Sequence, residues 1–292
     1  MVNGERFMFM DHKFLKTKDG TELSVQIKEM GSPVWIIVTH GIGEHLGRHK
    51  YIPELFGHDF NIFQYDLRGH GRSTGRRAWI SDFSLYMEDL REIIRFLREK
   101  YRMQRYVLFG HSMGALITSA FIQNFVEEDL YPERIVINAP PCGGAGLLGH
   151  VLKVLPHSFF TGACDLPFSI PVGGIVNLSY LSHDPRVKED YIRDELNSTK
   201  LETKLIFELM KTSVETFSRP LRSKCANFVS VGGSDQVIGK DDVIKYFSEV
   251  DKSFKLTVFD GAYHEIHNEI EKYRKPYFDY LKSTMHEMLF KI

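Results

Sequence analysis

The chain has 292 residues, 43% of them hydrophobic and 26% charged. That composition supplies a large core and excludes disordered, collagen-like and disulfide-dense miniature architectures. Lys and Arg number 37 against 38 Asp and Glu, a formal net charge of -1. This gives no electrostatic case for nucleic acid as a partner or for an anionic membrane as an obligatory one.

The first residues, Met1 to Arg6, lack the basic and long apolar regions of a signal peptide, and the apolar patch Phe7 to Met10 is too short to be one. No apolar run reaches the 18 residues of a membrane span. Residues 7–29 alternate on either side of the turn Lys18-Asp19-Gly20-Thr21, which predicts an antiparallel hairpin at the head of a sheet. Four buried-looking strands follow: Val34–Val38, Asn61–Tyr65, Arg105–Phe109 and Arg134–Ile137. A helix is expected from Ser81 to Tyr101, with Leu85, Leu90, Ile93, Ile94 and Leu97 on one face, and another from about Met113 to Leu130. Strands alternating with helices imply a mostly parallel sheet covered on both faces.

After Ala139-Pro140-Pro141 the alternation stops for about 80 residues. It resumes with strands at Asn227–Val231 and Ser253–Phe259 and a final helix over roughly Glu269–Leu289. The expected organisation is one α/β core, 1–140 and 221–292, interrupted by an insertion at 141–220. Between Pro141 and His183 only Lys153 and Asp165 are charged, where average composition would place about eleven charges. Leu147, Leu148, Val151, Leu152, Val154, Leu155, Phe159, Phe160, Phe168 and Ile170 fall there instead. A segment so poor in charge, lying outside the sheet, is expected to cover an apolar pocket. The three cysteines, Cys142, Cys164 and Cys225, are widely spaced and odd in number. They read as free thiols of an intracellular, cytoplasmic protein.

The chemistry centres on Gly110-His111-Ser112-Met113-Gly114, directly after one strand and before a helix. G-x-S-x-G alone is a weak signal. At a strand-to-helix turn it places a serine on a strained backbone above the strand ends, flanked by residues small enough for strand and helix to approach. A serine hydroxyl is a poor nucleophile at neutral pH and needs a base. In this architecture an acid and then a histidine should follow, each just past a strand end. Asp235 in Gly232-Gly233-Ser234-Asp235 and His264 in Ala262-Tyr263-His264-Glu265 fit, 123 and 29 residues further on in turn. His264 would take the Ser112 proton, and Asp235 would hold the imidazole tautomer. His267 is the main rival base. His111 lies inside the turn, pointing away from the hydroxyl, and Asp241 and Asp242 look like the start of a helix.

Oxyanion donors are expected from the backbone N–H groups of Ile42, in Thr39-His40-Gly41-Ile42-Gly43-Glu44, and Met113. Glu44 and His45 read as residues that shape this turn. The stretch Asp66-Leu67-Arg68-Gly69-His70-Gly71-Arg72-Ser73 lacks both phosphate-binding spacings, and reads as a structural loop held by Asp66 and Arg68.

Together these segments resemble the α/β-hydrolase superfamily and, within it, the monoacylglycerol lipase and lysophospholipase branch. The matching pieces are His40 to His45, Asp66 to Ser73, Gly110 to Gly114, Gly233 to Asp235 and Ala262 to Glu265, with Leu181 to Pro185 similar to the branch's cap. The resemblance implies a serine hydrolase of acyl esters with no cofactor or metal, acting on a single-chain lipid ester (monoacylglycerol or lysophospholipid) held in an apolar channel under a cap. It allows transient contact of the cap with a membrane surface and leaves the oligomeric state open. The glycine- and proline-rich early cap, 142–180, departs from the branch and leaves acyl length and head group undetermined. Arg186, Arg193 and Arg219 would suit a phosphate head group. Glu189, Asp190, Asp194 and Glu195 are the carboxylates a peptidase of the same fold would need, although they read as a solvated helix face. A non-catalytic binding module is the third reading.

Overall fold

A computed structural model of the chain describes residues 12–143 and 157–289. Among them, eight strands make one sheet in the order β1-β2-β4-β3-β5-β6-β9-β10. They are β1 (His12–Lys16), β2 (Glu22–Lys28), β3 (Val34–Thr39), β4 (Asn61–Tyr65), β5 (Arg105–His111), β6 (Arg134–Asn138), β9 (Ala226–Gly232) and β10 (Phe254–Phe259). The leading hairpin is antiparallel, Lys16 facing Glu22, and β2 joins β4 antiparallel; the pairs β3–β4, β3–β5, β5–β6, β6–β9 and β9–β10 are parallel. Residues 7–11 of the expected hairpin lie outside the described residues.

The central strands are apolar on both faces, and each face is covered. On one side α2 (Ser84–Tyr101) and α3 (Met113–Asn124) pack on the sheet, with Leu90, Ile93, Ile94 and Leu97 buried as the 3.6-residue spacing requires. On the other, α1 (Tyr51–Phe56) and α8 (Glu271–His286) bring Ile52, Phe56, Tyr277 and Leu281 onto Val34, Ile36 and Val107. α3 stops at Asn124, short of the expected Leu130, and a separate 3₁₀ turn covers Glu128–Leu130. Asn124, Phe125 and Val126 are weak helix formers, and the N–H groups of Phe125 and Val126 both fold back on the Phe121 carbonyl.

β6 and β9 pair directly, so everything between them is an insertion into an intact sheet. Its described part contains α4 (His157–Cys164), β7 (Pro171–Gly173), α5 (Pro185–Arg193), β8 (Lys200–Glu202) and α6 (Thr203–Phe217), with β7 and β8 forming a small antiparallel pair. The remaining helix, α7 (Lys240–Lys245), carries Asp241 and Asp242 in its first turn.

The Asp66–Ser73 loop is held as its composition suggests. Asp66 accepts the N–H groups of Leu46 and Arg72, each at 2.8 Å. Arg68 forks onto the buried Asp89 at 2.7 and 2.6 Å and also reaches Asp19 at 2.7 Å. Burial outweighs this guanidinium at Asp89 and lifts its carboxyl to about 6. Arg68→Ala leaves that carboxyl buried and unpaired, an expected loss of about 3 kcal/mol near neutral pH. The loss should shrink towards pH 5, because the orphaned carboxyl then takes up a proton; urea unfolding at both pH values checks it.

Candidate active site

Ser112 sits between β5 and α3 at φ 52° and ψ -118°, a conformation costing an L residue about 1–3 kcal/mol. Its neighbours explain how the turn is reached. A Cβ on Gly114 would fall 2.1 Å from the Thr39 carbonyl oxygen, and one on Gly110 would fall 2.5 Å from the Gly114 oxygen. Only glycines let β3, β5 and α3 converge here. The Ser112 N–H donates to the Asn138 carbonyl at 2.9 Å, tying the turn to β6.

The structure brings Ser112, His264 and Asp235 together. His264 Nε2 lies 3.1 Å from Ser112 Oγ and its Nδ1 lies 2.7 Å from Asp235 Oδ2. A carboxylate only accepts, so Nδ1 carries the proton and the Nε2 lone pair faces the hydroxyl. The other oxygen of Asp235 accepts the N–H groups of Val237 and Ile238 at 2.8 and 3.1 Å, fixing the carboxylate. Asp235 follows β9 and His264 follows β10, adjacent parallel strands that deliver both side chains to one edge of the sheet. Burial disfavours the His264 cation, but the charge and hydrogen bond of Asp235, helped by Glu265 and Glu44, prevail and raise its pKa above 6.5.

The turn after β3 is held from beneath. Leu67 N–H donates to His40 Nε2 at 2.9 Å, so His40 Nδ1 carries the proton and donates to the Gly41 carbonyl at 2.8 Å. In a trans peptide the C=O and the next N–H point oppositely, so this bond fixes the direction of the Ile42 N–H. Glu44 accepts the Gly41 N–H at 2.5 Å and His49 Nε2 at 2.9 Å. Arg48 bridges Glu44 at 3.2 Å and Glu265. Met113 opens α3, where an N–H has no intrahelical acceptor. Among the described residues neither the Ile42 nor the Met113 N–H has a partner.

Ile42, Ser112 and Met113 line one pocket with Val176, Leu201, Ile206, Leu209 and other uncharged residues. Its apolar wall departs from the expectation. Leu147 to Leu155 lie outside the described residues, while Phe168 and Ile170 face outward at 64% and 56% exposure and Phe160 is buried in the core. Of the charge-poor segment, Pro141, Gly143, Ile175 and Val176 line the pocket, and β8 and α6, late in the insertion, add Leu201, Ile206, Leu209, Met210 and Ser213.

The rivals fall elsewhere. His267 is buried, stacked on Tyr51 at 4.8 Å, with neither ring nitrogen bonded. His111 Nδ1 pairs with Asn138 at 2.7 Å. Arg186 pairs with Asp184 and Arg193 with Glu189 on the outer surface, and Arg219 reaches Asn124. Asp194 is taken by His45 at 2.8 Å. Sequence reasoning missed the ion cluster of Arg48 and Glu265, although the four-residue Glu44–Arg48 spacing and the position of Glu265 beside His264 were both visible.

Four buried histidines resist protonation, chiefly because burial penalises the cation. His40 is lowered to about 4, His70 and His111 to about 3, and His267 well below 6.5. Unfolded, each would bind a proton near 6.5, so the unfolded state gains protons as pH falls and stability drops with it. His264 acts oppositely: its contribution is full below 6.5 and is lost as pH rises through its raised value. The four should dominate, at about 1.4 kcal/mol each per pH unit below 6.5. A lower urea midpoint at pH 5.5 than at pH 7.5 is the expected result.

The profile of the Hydrolase_4 family, described as serine aminopeptidase S33, matches residues 33–271. Mouse monoglyceride lipase is 27% identical over 270 residues, covering 90% of this chain and 86% of that protein. Phospholipase YtpA of Bacillus subtilis strain 168 is 28% identical over 242 residues, covering 81% and 90%. The crystal structure of Paleococcus ferrophilus monoacylglycerol lipase superposes with a TM-score of 0.74 at 24% identity, covering 90% of this chain and 99% of that one. The extent of these matches and the eight-stranded, mostly parallel sheet agree, and the chain belongs to the serine aminopeptidase S33 family of α/β-hydrolases, in the branch that contains the monoglyceride lipases.

Proposed function

We propose that the chain is a serine esterase that cleaves carboxylic esters of single-chain lipids, monoacylglycerols before lysophospholipids. The observation that carries this reading is the hydrogen-bonded chain Ser112–His264–Asp235 opening onto a pocket whose described lining is uncharged. Residues 1–140 and 221–292 then act as the hydrolase core and 141–220 as the cap that forms the acyl channel.

His264 Nε2 takes the Ser112 proton as Oγ bonds to the ester carbonyl carbon. The carbonyl oxygen becomes an oxyanion held by the Ile42 and Met113 N–H groups, each worth about 3 kcal/mol to the rate. Collapse of this intermediate breaks the ester bond, and His264 returns its proton to the departing alcohol. A water, deprotonated by the same imidazole, then releases the fatty acid and restores Ser112. Asp235 keeps the imidazole oriented and stabilises its cation throughout.

The family's aminopeptidase description is less well supported by the site. An aminopeptidase must hold a substrate ammonium, yet Asp194 is engaged by His45, Glu189 by Arg193, and no described pocket residue is a carboxylate. Arg186, Arg193 and Arg219 do not line the pocket either, which favours a neutral head group over a phosphate. Phe159, Leu166, Phe168, Ile170, Ile175 and Ile192 are exposed on the insertion, which supports transient contact with a lipid surface. Among the described residues no helix is long and apolar enough to cross a membrane. The three free cysteines support a cytoplasmic setting.

Ester hydrolysis should depend on Ser112, with Ser112→Ala losing at least a thousandfold in kcat. For p-nitrophenyl esters of two to sixteen carbons, kcat/KM should rise by up to about fourfold per methylene until the channel is full. Turnover confined to the two-carbon ester would remove the lipid reading, and failure of a fluorophosphonate to label Ser112 would favour a binding module. The kcat/KM profile should rise through an apparent pKa above 6.5, where His264 loses its proton, and Asp235→Asn should move that limb to lower pH and remove most of the activity.

A further inference from the structure

The turn that carries Ile42 is held from above as well as from beneath. Tyr191, on α5, is buried and donates its hydroxyl to the Gly43 carbonyl at 2.7 Å. The Ser198 N–H donates to the same carbonyl at 2.7 Å. Gly43 has φ 71°, and a Cβ there would lie 2.7 Å from the Tyr191 oxygen and 2.9 Å from the Ser198 carbonyl oxygen. Position 43 therefore needs glycine twice, once for its backbone and once for the approach of the insertion.

Two further contacts lock the same surfaces. The Arg48 guanidinium lies 4.8 Å from the centre of the Tyr191 ring. Gly47 N–H donates to His45 Nδ1 at 3.2 Å, so His45 Nε2 carries the proton given to Asp194 at 2.8 Å. Asp194 in turn accepts the Leu196 N–H at 2.9 Å, and Asn197 donates to the Tyr191 carbonyl at 3.0 Å, which stiffens 191–198 as a unit. Burial and the nearby Glu44 carboxylate raise the phenol's pKa, so it remains a donor throughout the working pH range.

We infer that Tyr191 is a positioning residue for the oxyanion donor at Ile42: through the Gly43 carbonyl, the 191–198 segment of the insertion fixes the turn that must receive the negative charge. This inference rests on the esterase reading above and gives the insertion a second duty besides shaping the acyl channel. His40 and Glu44 hold the peptides on either side of Gly41, while Tyr191 and Ser198 hold the carbonyl one residue beyond Ile42. A donor loosened rather than removed should cost less than the hundredfold or more expected for its outright loss.

The test uses the two-carbon p-nitrophenyl ester, which is too short to depend on the acyl channel. Tyr191→Phe, which keeps the ring over Arg48, should lower kcat about tenfold with KM within twofold. It should weaken an alkyl boronic acid, which forms a tetrahedral anion on Ser112, by a similar factor. Asp194→Ala should move both quantities the same way, by about threefold, and serves if Tyr191→Phe folds poorly. Glu189→Gln, on the exposed face of the same helix, should match the wild type. Wild-type kcat in both variants, or a change confined to KM or to the chain-length profile, overturns the inference and leaves the esterase reading intact. Absence of Ser112-dependent turnover in the wild type overturns both.

Discussion

A serine at φ 52° lies where L residues are rarely found, and its side chain makes no capping bond to α3. The cost is offset by packing around it. β3 and α3 meet across Gly114 with no room for a methyl group, and β6 takes the Ser112 N–H. That same convergence sets the N-terminus of α3 beside the turn after β3, so one constraint brings together the hydroxyl and both N–H groups assigned to the oxyanion. A relaxed serine backbone would move the Ser112 hydroxyl and the Met113 N–H at once.

Around this turn lies an unusual density of buried polar groups. Glu44, Arg48 and Glu265 form a chain of charges behind Ser112, with His49, His111 and His267 packed beside them at ring distances of 5.0 to 5.6 Å. Burial keeps His111 and His267 neutral, while Asp235 holds His264 ready to become a cation. Imidazoles on one side of the sheet thus titrate in opposite senses. A carboxylate bonded to the nitrogen away from Ser112 distinguishes His264 from His267 three residues later, and suits it to the role of base proposed for it.

Much of this was legible in the sequence. Short apolar runs gave the strands to within a residue or two, because buried parallel strands admit little else. Ser112, Asp235 and His264 could be paired in advance because a strand-end loop must follow each strand of such a sheet, and few polar residues occupy those loops. The insertion was less legible. Its low charge between Pro141 and His183 correctly signalled apolar surface, but not which side chains face the pocket. Phe168 points out and Phe160 points into the core, while Ile175 and Val176 share the wall with Leu201, Ile206 and Leu209 from a segment of ordinary composition. Three-dimensional packing decides that, since a loop-rich segment has no period from which to read a face. The Tyr191–Gly43 bond was invisible for a related reason. It joins positions 148 residues apart, and neither residue type is unusual alone.

The direct pairing of β6 with β9 bears on how such a protein could be re-engineered or could diversify. The sheet is closed beneath the insertion, so in principle the whole of 141–220 could be exchanged for another to retune what the enzyme accepts. The bonds from Tyr191 and Ser198 to Gly43 argue against treating it as one interchangeable cassette. A donor segment lacking a phenol and a free backbone N–H at those places would import a new channel and disturb the catalytic floor in the same step. The exchangeable unit is the stretch before Tyr180, because the Tyr180 and Leu181 carbonyls accept the His264 and Glu265 N–H groups at 3.4 and 2.8 Å, and chimeras joined there should keep turnover while changing preference.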